Sequence, residues 1–241
     1  EEKVSVLEYI IDVAKNRVPI VLGVGGNNTS NVVQQIKKFN SYRIDAYLSV
    51  SPYYNKPSQA GIVAHYGQIA QATDKPIILY NVPGRTGSNM TAETTLTLAN
   101  TYANIIAVKE ASGNLEQIME IIKNKPSDFL VISGDDALTL PHMACGGDGV
   151  ISVVANAFPK RFSSMVDYAL KGDLEKAKPL HYELFPIIQQ LFADGNPGGI
   201  KYVLKLISIG EDHMRLPLVN INDEVAKKLY ELVAAIDDTL A

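Results

Sequence analysis

Six short β-rich runs set the rhythm of this sequence: Ile20 to Gly23, Ala46 to Ser51, Ile77 to Tyr80, Ile105 to Lys109, Phe129 to Ser133 and Val150 to Val154. They are near-continuously apolar instead of alternating, which is the pattern of parallel strands covered on both faces. Between them lie segments of helical periodicity, such as Asn31 to Phe39, Ser58 to Ala72, Ala92 to Ala99 and Leu115 to Lys123. Their starts carry capping residues: Ser58 after Pro57, Thr91 with Glu93 following, and Asn114 with Glu116 following. Such a βα series predicts right-handed crossovers and a parallel sheet. The chain opens on a helix, roughly Lys3 to Lys15, and turns helical after Phe158, with interruptions near Asn196-Pro197-Gly198-Gly199 and at Pro217. No low-complexity linker divides it. The expected organisation is a single structural unit, with a β/α barrel portion over 1–157 and a last barrel helix plus helical C-terminal extension over 158–241.

Two architectures fit a six-strand βα series, an open doubly wound sheet and a (β/α)8 barrel. An open sheet concentrates ligand residues at one switch point, whereas a barrel brings the C-terminal ends of many strands to one mouth. Here nearly every strand ends in reactive or turn-forming residues, as in Ser51-Pro52-Tyr53-Tyr54-Asn55, Tyr80-Asn81-Val82-Pro83-Gly84-Arg85, Lys109-Glu110-Ala111-Ser112-Gly113 and Ser133-Gly134-Asp135-Asp136. That distribution favours the barrel, although six strands and an opening helix do not add up to eight strands.

Composition removes several classes of function. A chain of 241 residues, 46% apolar, can bury a large core. A net charge of −4 without a basic block argues against nucleic acid. No apolar stretch approaches the ~20 residues that span a bilayer, and Glu1-Glu2-Lys3 does not open a signal peptide. Cys145 is the one cysteine and has no internal partner, which favours a reducing, cytoplasmic setting. His65, His142, His181 and His213 form no ligand pair at helical spacing, which disfavours a zinc-dependent mechanism.

Lys109 ends the buried run Ile105-Ile106-Ala107-Val108. Desolvation there would favour the neutral, nucleophilic amine over the ammonium; a strand-end lysine also commonly snorkels to water. Tyr80 closes another apolar strand, and Tyr53-Tyr54 follow a third; a phenol can relay protons, or simply pack its ring and tie down its hydroxyl. Arg85, in Gly84-Arg85-Thr86-Gly87, has a fork suited to a carboxylate, or faces solvent as loop arginines mostly do. Gly23-Val24-Gly25-Gly26-Asn27 lacks the P-loop Lys-Ser/Thr and reads as a turn, and Asp135-Asp136 reads as a helix cap before a metal site.

Taken together, Ser51-Pro52-Tyr53-Tyr54-Asn55-Lys56-Pro57-Ser58-Gln59, Leu79-Tyr80-Asn81-Val82-Pro83-Gly84-Arg85-Thr86-Gly87, Val108-Lys109-Glu110-Ala111-Ser112-Gly113-Asn114, Ser133-Gly134-Asp135-Asp136 and Gly149-Val150-Ile151-Ser152-Val153 give a sequence that resembles the dihydrodipicolinate synthase family of Schiff-base aldolases. The stretches occur in family order from about Val18 to Val154, and Asn196-Pro197, Lys201 and Arg215-Leu216-Pro217 in the tail are also similar. The resemblance implies a TIM (β/α)8 barrel with a helical C-terminal extension. It implies condensation of pyruvate with L-aspartate semialdehyde through an imine on Lys109, on the diaminopimelate route to lysine, with no cofactor. Tyr80 would be the proton-relay tyrosine, Tyr54 the residue entering a neighbouring subunit's site, and Arg85 the clamp for the second substrate's carboxylate. Ile151 and Gly134 would line the lysine pocket. The implied partners are the two small substrates and further copies of the chain, in a dimer or a dimer of dimers (a homotetramer).

The same resemblance extends to sugar-acid aldolases of the N-acetylneuraminate lyase type, from which Gly84-Arg85-Thr86-Gly87 separates it, and to a catalytically silent member acting in binding or assembly. Against the family pattern the sequence lacks the opening βαβ segment with its Gly-Thr-Thr-Gly-Glu turn, so the first two strands are expected to be missing; a chain truly beginning at Glu1 would be an incomplete barrel of little activity. Asn27 and Tyr53 match a lysine-effector cleft, yet Asn31 stands where lysine-sensitive members often carry a glutamate, so lysine inhibition is not expected.

Overall fold

The computed structural model describes residues 1–236. Its contacts group into two compact units, Glu1–Ile132 and Ser133 onward. The stretch 133–157, assigned from sequence to the barrel portion, thus groups with the C-terminal helices.

The first unit alternates helix and strand: α1 (Glu2–Ala14), β1 (Val21–Gly23), α2 (Thr29–Phe39), β2 (Ala46–Val50), α3 (Gln59–Ala70), β3 (Ile77–Asn81), the short α4 (Pro83–Thr86), α5 (Ala92–Thr101), β4 (Ile105–Glu110), α6 (Leu115–Asn124) and β5 (Leu130–Ser133). The strands lie in chain order, and β1 through β4 pair in parallel. The expected caps are formed: Ser58 accepts the Gly61 N–H, Thr91 the Thr94 N–H, and Asn114 the N–H groups of Glu116 and Gln117. Each satisfies donors that the first helical turn leaves open. On one face of the sheet, Tyr47, Ile77, Leu79, Ile105 and Val108 meet Ile36, Ile62, Tyr66, Leu98 and Ile121 from the helices. On the other face Ala46, Leu48, Ile78, Ile106, Ala107 and Ile132 form a small separate cluster.

The pairing of β3 with β4 is irregular at its base. Ile77 faces Ile105, but Ile78 faces Ala107, so one extra residue of β4 is accommodated there. Ile106 and Ala107 both turn to the smaller cluster beside Ile78, while Ile105 and Val108 turn to the helix-covered one. Two successive side chains on one face is the mark of a β-bulge. Beyond it the register is regular, with Tyr80 opposite Lys109 and Asn81 opposite Glu110.

The second unit begins at Ser133, the last residue of β5, and continues through α7 (Thr139–Ala144), β6 (Gly149–Val150), a 3-10 turn (Val154–Asn156), α8 (Pro159–Leu170), α9 (Leu174–Leu191), α10 (Gly198–Leu206) and α11 (Asp223–Ala234). Its core gathers Phe162, Met165, Leu184, Ile188, Leu191, Val203 and Leu229. The strand expected over Val150 to Val154 is corrected here: only Gly149 and Val150 are extended, and Val154 starts the 3-10 turn. The cause is Asp136, whose buried carboxylate accepts the N–H groups of Val153 (3.0 Å) and Val154 (2.7 Å) and takes them out of any sheet ladder. Apolar composition alone does not register such a competing acceptor. No helix of the described residues is long and apolar enough to cross a membrane.

Candidate active site

Strand register builds the centre of the site. Tyr80 and Lys109 stand opposite each other near the C-terminal ends of β3 and β4, and the Lys109 Nζ lies 4.2 Å from the centre of the Tyr80 ring. A cation at that distance is attracted by the ring face, and an uncharged amine there sits against a phenol. Both side chains are half-buried. Burial raises the Tyr80 hydroxyl above its ordinary value, with the nearby Arg85 charge pulling the other way. At neutral pH the phenol therefore keeps its proton and is available as a donor.

Because side chains alternate along a strand, the next residues point to the opposite face. Asn81 and Glu110 are buried there, 0% and 1% exposed. The Glu110 carboxylate accepts from Asn81 Nδ2 (3.1 and 3.2 Å), Gln117 Nε2 (3.1 Å) and the Ser112 N–H (2.7 Å). Asn81 Oδ1 accepts the Met90 N–H at 2.9 Å, and its Nδ2 also donates to Asn89 Oδ1 at 2.8 Å. Asn89 Nδ2 donates to Gln117 Oε1 at 2.8 Å. The Asn81 carbonyl accepts the Ala111 N–H at 2.9 Å, closing the two strand ends together. Sequence reasoning passed over these residues except as parts of motifs. The available signal was two strand ends that each finish in a reactive residue followed by a polar one, Tyr80-Asn81 and Lys109-Glu110.

Arg85 lies on α4, which Pro83 starts and Gly87 ends in a left-handed conformation (φ 75°). Its guanidinium is exposed, close enough to Tyr80 to influence the phenol. The Thr86 carbonyl accepts the N–H of Tyr54 at 3.2 Å, so the loops after β2 and β3 are tied together. Tyr54 is 87% exposed and has φ 73°, a conformation that costs a bulky residue on the order of 1–2 kcal/mol. Tyr53 is partly exposed, and Asn55 Nδ2 donates to the Asn27 carbonyl at 3.0 Å, joining this loop to the one after β1. That first loop passes close under β2: a methyl on Gly25 would fall 2.6 Å from Val50 Cγ1 and 3.0 Å from the Val50 nitrogen. Asn31 is exposed in the first turn of α2. The first unit thus gathers Lys109, Tyr80 and Arg85 and, along the same rim of loops, Tyr54, Tyr53 and Asn27.

In the second unit Gly134 follows β5, and Ile151 follows β6 with its N–H donated to the Ser133 carbonyl at 2.9 Å; both are half-buried. Asp135 Oδ1 accepts the N–H groups of Ala137 and Leu138, and Asp136 those of Val153 and Val154, so both carboxylates act as backbone caps.

The pattern of the dihydrodipicolinate synthetase family matches residues 1–236. The chain belongs to the dihydrodipicolinate synthetase family. It is similar to the 4-hydroxy-tetrahydrodipicolinate synthase of Parabacteroides distasonis, 53% identical over 97% of this chain and 78% of the relative. Among solved members of the family, the Acinetobacter baumannii dihydrodipicolinate synthase, described as chloride-inhibited and complexed with pyruvate, superposes with a TM-score of 0.93 at 36% identity, covering 97% of this chain and 80% of that one. The Cyanidioschyzon merolae member, solved with lysine bound, gives a TM-score of 0.88 at 40% identity over 92% of this chain and 75% of that one. The α/β fold with a parallel sheet and helical C-terminal part is that of dihydrodipicolinate synthase.

Proposed function

We propose that this chain is a 4-hydroxy-tetrahydrodipicolinate synthase acting through Lys109. The observation that carries the reading is the Lys109–Tyr80 pair, in register at two strand ends, within a chain 53% identical to such a synthase. The neutral Lys109 amine adds to the keto carbon of pyruvate, and the carbinolamine loses water to give an imine. Loss of a methyl proton gives the enamine, whose carbon attacks the aldehyde carbon of L-aspartate semialdehyde. The amino group of the condensed chain then attacks the imine carbon, closes the ring and releases Lys109. Tyr80, holding its proton at neutral pH, serves the proton transfers of carbinolamine formation and dehydration. Arg85, exposed beside it, takes the second substrate's carboxylate. The reaction needs no cofactor.

The strained, exposed Tyr54 is read as reaching a neighbouring copy, and the six strands as part of a (β/α)8 barrel in a dimer or dimer of dimers. The lone cysteine suits a cytoplasmic enzyme. Asn27 and Tyr53 form the lysine-effector position, and because Asn31 supplies no charge for the effector's ammonium, inhibition by lysine is not expected.

The test is reduction with borohydride in the presence of pyruvate, applied to the intact source protein. A stable adduct on the peptide containing Lys109, dependent on pyruvate, is the expected result. An unmodified Lys109 peptide, or an adduct on a different lysine, overturns the reading.

A further inference from the structure

Asn81 and Glu110 are each one residue beyond a member of the Lys109–Tyr80 pair and face away from it, so neither can touch a substrate held by that pair. Their hydrogen bonds are nevertheless fully determined. The Met90 N–H can only donate, so it fixes the Asn81 amide with oxygen toward Met90 and nitrogen toward Glu110. The Met90 carbonyl can only accept, so it fixes the Gln117 amide with nitrogen toward Met90 and Glu110. Glu110 is therefore ringed by donors alone, from Asn81, Gln117 and Ser112. That set matches an acceptor-only carboxylate and no neutral side chain of the same shape.

The network has a second property. It joins the end of β3, the end of β4, the first turn of α6 and the segment Asn89–Met90 that closes the Arg85 loop. These are the pieces that carry Tyr80, Lys109 and Arg85. A surface role does not account for it, because a buried carboxylate is costly unless every lone pair is used, and a packing role alone would be met by apolar residues. We infer that Asn81 and Glu110 are positioning residues for the proposed reaction: their amide–carboxylate bond holds the two strand ends so that the Lys109 Nζ rests against the Tyr80 ring. This rests on the reading of Lys109 as the imine-forming lysine.

Replacing either partner alone makes a mismatch that the structure specifies. Glu110→Gln sets an amide NH2 against one of the surrounding donors. Asn81→Asp sets two carboxylates together in the core. The exchange of both, Asn81→Asp with Glu110→Gln, lets the new carboxylate accept from the new amide and restores the central bond, while leaving the new carboxylate against Asn89 Oδ1 and the new amide against one remaining donor. Displacing a reacting group by about 1 Å costs on the order of a hundredfold in rate.

The experiment measures three quantities on the intact protein: kcat, the rate of borohydride-trapped pyruvate on Lys109, and the folded fraction by thermal melting. Each single variant is expected to lose at least about tenfold in kcat and in trapping rate per folded molecule, and the double exchange to recover part of both because it restores the central bond. Wild-type rates in the folded single variants overturn the inference. So does a loss that follows the unfolded fraction alone, or a double variant no better than the worse single. Where melting shows that a single variant does not fold, Asn81→Ser, which removes the amide bond to Glu110 without adding a charge, is measured instead; an unchanged trapping rate in that folded variant also overturns it. Trapping on Lys109 in the wild-type protein is the common control: its absence removes the reading of Lys109, whereas its presence beside unaffected variants removes only the positioning role.

Discussion

The Thr29 hydroxyl oxygen lies 2.8 Å from Nδ1 of His65, a histidine 4% exposed whose Nε2 has no hydrogen-bond partner among the described residues. Burial lowers the imidazole from 6.5 to about 4. The sign follows from the two proton affinities. Between those values the unfolded chain binds a proton that the folded chain refuses, so the His65 contribution is complete above about pH 6.5 and is lost as pH falls toward 4. Thermal melting of the wild-type protein against pH should decline across that window by roughly 1 kcal/mol or less per pH unit. His65→Gln should flatten the decline. An equal slope in the variant would assign the acid sensitivity to other groups.

Tyr80→Phe keeps the ring beneath Lys109 and removes the hydroxyl. The expected result is a fall in kcat on the order of a hundredfold or more, with the melting midpoint close to wild type because the hydroxyl is only half-buried. Steady-state kinetics beside a melting curve decide it; an unchanged kcat would take Tyr80 out of the proton transfers.

Arg85→Ala separates the two substrates. Loss of charge-assisted bonds to a carboxylate costs about 1.5–3 kcal/mol, so kcat/KM for the semialdehyde should fall roughly tenfold to a hundredfold. Pyruvate trapping on Lys109 should be within about twofold of wild type, since Arg85 contacts the later substrate. A parallel loss in trapping would mean that the arginine acts on the first step.

Gly199, in the second unit, lies in the first turn of α10 against the backbone of Leu191. A methyl built on it runs into the Leu191 carbonyl oxygen and lies 2.9 Å from the Leu191 Cα. Backbone cannot rotate away as a side-chain tip would, so Gly199→Ala should cost roughly 1–3 kcal/mol, read as a lower urea midpoint. A substitution at Gly210, where nothing lies within 4 Å, is the control and should be near neutral.

Much of this was legible in the residues before any coordinates. Helix starts at Ser58, Thr91 and Asn114 were readable because a cap is a local bond between a side chain and an N–H two or three residues on. Lys109, Tyr80 and Arg85 were readable because each ends or follows an apolar run. The shortening of the last strand was not, because the acceptor that removes Val153 and Val154 from the sheet is Asp136, seventeen and eighteen residues away. The same holds for Glu110, whose donors Asn81 and Gln117 come from different elements. Bonds across space leave no period in a sequence.

The bulge at the base of β3 and β4 decides which way the lysine points. Counting strict alternation from Ile105, whose side chain joins the helix-covered cluster, would send Lys109 into that same cluster and turn Glu110 toward Tyr80. The doubling of Ile106 and Ala107 on one face reverses that count before the strand reaches its end. Straightening that doubling with both residues kept would trade the places of an amine and a carboxylate, whereas deleting one of the two would leave Lys109 opposite Tyr80. The chemistry at the rim is thus addressed by parity, and the single step that sets it sits at the opposite end of the strand, far from any substrate.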